Sequence, residues 1–210
     1  MERNTKSGTN TGIIWIRAGR VIDPATGLDG VRDLWIRDGK IEKICMPEEW
    51  REGQEKGQGE NPDGAESGCR VIDARGCYVM PGLIDLHLRD PGQEYKEDIE
   101  TGGRAAARGG FTTICCMANT SPAADSPETI AYIREKAARV SPVQVIPVGA
   151  VTKGLAGEEL TDMAALKAEG IGAVSEDGKS VMDAALCRRG MELAAELNLV
   201  TLAHCEHKGM

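Results

Sequence analysis

Residues 81–92 read Pro81-Gly82-Leu83-Ile84-Asp85-Leu86-His87-Leu88-Arg89-Asp90-Pro91-Gly92, a run in which apolar residues pass straight into closely spaced polar ones. The pattern predicts a buried strand that ends in an active site. Asp85, His87 and Arg89 stand two apart, and in a strand this spacing turns all three toward one face while Leu86 and Leu88 turn to the other. An acid, an imidazole and a guanidinium then converge at one strand end. A lone histidine in such a place is more often a side chain meeting water than a ligand, so the decision falls to the rest of the chain.

Downstream of this stretch the sequence alternates strand and helix. A helix is predicted over roughly 96–108, stopping at Gly109-Gly110, and a strand over 111–117. Asp125 or Ser126 can cap a second helix with Pro127 in its first position, Ile130, Ile133 and Ala137 as its buried stripe, and Ser141-Pro142 as its end. Then come a strand at 143–148, a helix at about 157–169, a strand at 171–174, a helix at about 181–197 and a strand at 199–203. Five strands alternating with four helices imply parallel βα units. Their short connections suit a doubly wound sheet or a barrel equally, and periodicity does not separate the two.

Upstream, 13–17 and 31–44 read as strands, the second interrupted by a turn at 37–40, and strand pattern returns at 71–73 and 77–80. Residues 47–68 are rich in Glu, Gly and Gln and nearly free of apolar side chains, which predicts a solvated flexible loop; residues 1–11 are polar as well. The expected organisation is a small β unit over 1–80, with its polar loop at about 47–68, and the α/β region over 81–210.

Composition narrows the function classes. Of 210 residues 41% are hydrophobic but only 3% aromatic, so the core is built from Ala, Val, Ile, Leu and Met, as parallel strands under helices require. A net charge of −8 without a basic run argues against a nucleic-acid partner. No apolar run approaches 18 residues and no basic-then-apolar leader opens the sequence, so the expectation is a cytoplasmic protein without a membrane partner. Seven cysteines, at 45, 69, 77, 115, 116, 187 and 205, form no Cys-x-x-Cys pair, which suggests neither a disulfide framework nor a zinc ribbon.

Three constellations stand at the carboxyl ends of predicted strands, where barrel enzymes keep their reactive groups. The first is His87 with Arg89. The second is Met117-Ala118-Asn119-Thr120-Ser121-Pro122, whose residue types also make ordinary turns. The third joins Ser175-Glu176-Asp177-Gly178 to His204-Cys205-Glu206. Imidazole and carboxylate together suit zinc, which makes water nucleophilic at neutral pH. A guanidinium beside an amide suits a substrate carboxylate, which Arg meets with two parallel hydrogen bonds.

The stretch 81–92, followed by Tyr95, Lys96, Glu97 and Asp98, resembles the first barrel strand of dihydroorotases in the amidohydrolase superfamily. Residues 117–120 resemble that family's Met-Pro-Asn-Thr motif with Ala118 in place of Pro. Glu176-Asp177-Gly178 resembles its Asp-Asp-Gly motif with Glu176 for the first acid, and His204 matches the next metal ligand. One departure stands out. The family carries two histidines as His-x-His before the Leu-Arg, and this sequence has His87 alone, as though two residues were deleted. Such a deletion preserves strand parity but shifts one flank by about 6–7 Å.

The resemblance implies a partial (β/α)8 (TIM-type) barrel and a flanking β-sandwich completed by strands from the far C-terminus. It implies zinc held by His87, Asp177 and His204, with Asp177 bridging two ions in the family. Substrate binding falls to Arg89 and Asn119, and the substrate is a small acid, carbamoyl aspartate or dihydroorotate, of pyrimidine biosynthesis. The family's general acid/base Asp falls beyond residue 210. With one histidine fewer, one zinc or none and weakened activity are expected. A non-catalytic scaffold for aspartate transcarbamoylase, an allantoinase or hydantoinase, and a truncated gene product are the alternatives; a homodimer is a further expectation. His207 falls where the family has an acid and reads as a surface residue, and Lys96, Glu97 and Asp98 read as a helix start. Asp85, His87, Arg89, Asn119, Asp177 and His204 are expected around one mouth.

Overall fold

The computed structural model describes residues 12–47, 69–88 and 98–206. Arg89, Lys96, Glu97, His207, the segment 1–11 and nearly all of the polar loop at 47–68 lie outside the described residues. The chain divides into two compact units, Met1–Pro81 and Gly82–Met210.

The first unit is a five-stranded sheet of β1 (Ile14–Asp23), β2 (Leu28–Arg37), β3 (Lys40–Cys45), β4 (Arg70–Asp73) and β5 (Tyr78–Val79). Strand β1 is its centre, antiparallel to β2 and parallel to both β4 and β5. It runs six residues beyond the predicted end at Arg17 because a bulge lets the chain bend without leaving the sheet; pairing shifts between Ile16 and Gly19, and Ala18 takes a φ of 52°. The buried Asp33 holds that bulge, accepting from the Ala18 N–H at 2.7 Å and the Trp15 indole N–H at 3.1 Å. Trp15 stacks on Trp35 with ring centroids 4.6 Å apart.

The second unit carries β6 (Leu83–Leu88), α1 (Ile99–Arg108), β7 (Phe111–Cys116), α2 (Pro127–Val140), β8 (Gln144–Ala150), α3 (Met163–Ala168), β9 (Ala173–Ser175), α4 (Ala184–Glu196) and β10 (Val200–Leu202). The five strands form one curled, all-parallel sheet in the order β10-β9-β8-β7-β6, the first half of a (β/α) barrel. Alternation along the strands sorts two faces. Ile114, Cys116, Ala150 and Val174 pack toward the helices with Ile99, Ile130, Ile133 and Leu166. Cys115, Met117, Val148 and Ala173 pack on the opposite face. Ile130 and Ile133 are fully buried, each stabilising by about 1.5–3 kcal/mol.

Helix starts follow local chemistry. Asp98 accepts from the Thr101 N–H, and Thr101 Oγ1 lies back against the Asp98 N–H, a reciprocal cap that starts α1 three residues after the predicted position. Ser126, rather than Asp125, caps α2, with Pro127 in the first turn as expected. Asp183 caps α4 through the Ala185 and Leu186 N–H groups.

Two expectations are corrected. The helix over 157–169 shrinks to α3, because Gly154 and Gly157 take left-handed backbone (φ 61° and 75°), Thr152 bridges Leu160, and the cap waits until Asp162. The stretch after Pro81 is not a buried strand: in β6 only Leu88 is buried, while Ile84 is 62% and Leu86 51% exposed. The reason is position. Among the described residues β6 pairs with β7 alone and forms one edge of the sheet.

Candidate metal and substrate site

Four of the residues singled out in the sequence reach the carboxyl end of the parallel sheet: His87 within β6, Asn119 after β7, Asp177 after β9 and His204 after β10. Asp177 is the hub. Its Oδ2 lies 3.7 Å from His87 Nε2 and accepts from Asn119 Nδ2 at 2.7 Å, and its Oδ1 lies 3.9 Å from His204 Nδ1. Asp85, expected beside them, is engaged differently: its Oδ1 accepts from the His87 N–H at 2.9 Å and steadies the strand end. It also faces Cys115, whose thiol is pushed up mainly by burial and further by this charge.

Local backbone explains the convergence. Met117 N–H donates to the Leu88 carbonyl at 2.6 Å, and Ala124 N–H to the Ala118 carbonyl at 3.0 Å, so the chain folds over just as Asn119 emerges. After β9, Lys179 N–H closes a turn onto the Glu176 carbonyl at 2.9 Å, and Gly178 takes a φ of 72°. A Cβ there would lie 3.6 Å from Asn119 Nδ2, so the glycine answers to backbone conformation more than to space.

Glu176, the substituted first acid of the motif, is only 6% exposed and does not face the site. Its Oε2 accepts from the Val151 and Thr152 N–H groups, each at 3.1 Å, and its Oε1 from the Thr152 hydroxyl. Burial pushes its carboxyl up, while the Thr152 and Val151 hydrogen bonds and Lys179 pull the other way. Glu176 therefore braces the end of β8 against the turn that carries Asp177. Sequence reading missed Thr152 because it ended that strand at Val148; the uninterrupted run Val148-Gly149-Ala150-Val151 was the available signal.

The residue types fit a zinc ion: two imidazoles and a nearly buried carboxylate facing one another. Both imidazole–carboxylate gaps exceed a hydrogen bond, and they are somewhat wider than the ~3.4 Å between two ligands of a tetrahedral zinc. They are arranged as two pairs on separate oxygens of Asp177. Among the described residues no three His, Cys, Asp or Glu side chains enclose a common centre. No disulfide joins any of the seven cysteines, and among the described residues no helix is long and apolar enough to cross a membrane.

A half barrel whose polar side chains gather at the carboxyl ends of its strands defines a chain of the (β/α)-barrel class, and the comparisons specify its family. The dihydro-orotase-like family pattern matches residues 76–210. The chain is 47% identical over 195 residues to the dihydroorotase of Solibacter usitatus, covering 92% of this chain and 42% of that protein. It is 42% identical over 197 residues to the dihydroorotase of Aquifex aeolicus, covering 91% and 42%. Among solved structures it superposes on L-hydantoinase from Arthrobacter aurescens with a TM-score of 0.73 at 19% identity, over 93% of this chain and 41% of that one. A D-hydantoinase matches with a TM-score of 0.67 at 27% identity, over 92% and 40%. The chain belongs to the dihydro-orotase-like family, and it spans about 42% of the length of the curated relatives it matches.

Proposed function

We propose that this chain supplies the first five strands of a zinc-dependent dihydroorotase barrel, a cytoplasmic enzyme that interconverts N-carbamoyl-L-aspartate and dihydroorotate in pyrimidine biosynthesis. One observation carries the reading: His87, Asn119 and His204, from three strand ends, meet around the carboxylate of Asp177 at a fourth. The curated relatives that bear the name dihydroorotase favour this substrate over others of the superfamily.

His87, Asp177 and His204 would hold the metal, with Asp177 shared if two ions are taken up. When bound, zinc supplies Lewis acidity, which polarises an amide carbonyl and makes water nucleophilic at neutral pH. Ring closure joins the ureido nitrogen of carbamoyl aspartate to its side-chain carboxyl carbon with loss of water; opening reverses this. The α-carboxylate stays outside the reacting bonds, and Arg89 is the residue suited to clamp it bidentately. Asn119 lies beside that position by the resemblance, and its amide also fixes Asp177 Oδ2.

The lone His87 leaves the strand-one motif one ligand short, and catalytic groups tolerate errors of only about 0.5 Å. Weak or single zinc occupancy and little turnover by this chain are therefore expected. Metal analysis and a dihydroorotate assay on the purified chain test this, beside a variant in which two inserted residues rebuild His-x-His. Two tightly held zinc ions with ordinary turnover would overturn the expected impairment. Faster turnover of a hydantoin or of allantoin would overturn the substrate.

The lone His87 also favours a second reading, a non-catalytic scaffold that pairs with itself or with aspartate transcarbamoylase. Stable co-purification with that enzyme, together with no metal uptake, would select it.

A further inference from the structure

His204 is held from three sides. Ser180 Oγ donates to its carbonyl at 2.8 Å, the Glu206 N–H donates to the same carbonyl at 3.1 Å, and Glu206 Oε2 meets its Nε2 at 2.7 Å. The other ring nitrogen, Nδ1, faces Asp177 Oδ1 at 3.9 Å. Two carboxylates thus compete for the single proton of the neutral ring. A carboxylate only accepts, so whichever wins sets the tautomer. The Glu206 contact is at the short, charge-assisted end of the hydrogen-bond range, and the Asp177 contact is beyond it.

We propose that Glu206 is a positioning residue that selects the Nε2–H tautomer of His204 and so presents the Nδ1 lone pair to Asp177. The consequence for metal binding rests on the zinc reading above; the tautomer does not. Ligating histidines commonly donate their second N–H to a carboxylate, which fixes ring orientation and raises basicity. Without Glu206, Asp177 is the carboxylate left facing the ring among the described residues, the proton moves to Nδ1, and the nitrogen a cation needs is blocked. Glu206 is two-thirds exposed at its side chain and follows the last strand, so its removal leaves the packed core intact.

The test uses the whole chain, metal-free and labelled with nitrogen-15 histidine, with the ring signals read as pH is raised until they stop changing. His204→Gln assigns the ring signals. Wild type is expected to show His204 as Nε2–H. Glu206→Ala is expected to gain the Nδ1–H form and to lose zinc affinity about 10–100-fold, read by competition with a chromophoric chelator. Glu206→Gln, whose amide oxygen still accepts from Nε2–H, is expected to restore both. An unchanged tautomer in Glu206→Ala, or Glu206→Gln as damaged as Glu206→Ala, would overturn the proposal. If the tautomer shifts as expected and wild type takes up no zinc, the positioning role stands and the zinc reading falls.

Discussion

Asn119 Nδ2 donates a 2.7 Å hydrogen bond to Asp177 Oδ2, tying the segment after β7 to the turn after β9 across 58 residues of sequence. This bond places an amide and a carboxylate in one unit, so each controls the other's geometry. Asn119→Ala removes the amide that holds Asp177 Oδ2 in place. Zinc affinity is expected to fall about tenfold or more, and a calorimetric zinc titration matching wild type would contradict that.

Thr152 and Glu176 test the brace under the site. Thr152→Val keeps the shape but removes the hydroxyl that Glu176 Oε1 accepts from. A buried carboxylate oxygen left without its donor costs about 1–3 kcal/mol, so the urea midpoint should drop. Ala164→Ser, on α3 and away from this contact, serves as the control. Equal midpoints for Thr152→Val and wild type would show that the brace carries no stability.

The cap on α1 predicts an acid-side loss of stability. Hydrogen bonds from the Thr101 backbone, and then its side chain, hold the Asp98 carboxyl below its ordinary 3.8. A folded-state value below the unfolded one means the contribution is complete above the unfolded value and disappears as pH falls through the folded one. Asp98→Asn caps without titrating, so its stability should vary less with pH below about 4. Parallel pH curves for the two proteins would refute this.

The sheet edges predict association. Ile84 and Leu86 on β6 and Val200 on β10, which is 60% exposed, leave apolar side chains beside strand edges that are unpaired among the described residues. The chain as given is expected to self-associate, and Ile84→Lys is expected to reduce this. Light scattering that finds a monodisperse monomer with a cooperative melt for the unaltered chain would count against it.

Much of the site was legible because its residues follow apolar runs. Asn119, Asp177 and His204 stand just past a strand and His87 next to the end of one, and parallel strands bring such positions together at one end whatever the details of packing. The stripe Ile130, Ile133 and Ala137 was legible for a similar reason: helical periodicity depends on neighbours three and four residues away. The length of α3 was not, since a left-handed Gly157 and a cap delayed to Asp162 override a pattern that otherwise reads as helix.

By itself, then, the sequence determined the order of strands and helices and which side chains reach the carboxyl ends of the sheet, because those depend on local spacing and composition, while its motifs carried the resemblance to the family. Tertiary structure decided what the side chains do on arrival. Glu176 turns inward to Val151 and Thr152 while its neighbour Asp177 faces two imidazoles, Asp85 spends its carboxylate on a backbone N–H, and Glu206 competes with Asp177 for one imidazole proton. The physical reason is range. Periodicity acts over a few residues, whereas hydrogen bonds between residues 25 or 58 apart form only once the sheet has brought their strand ends together.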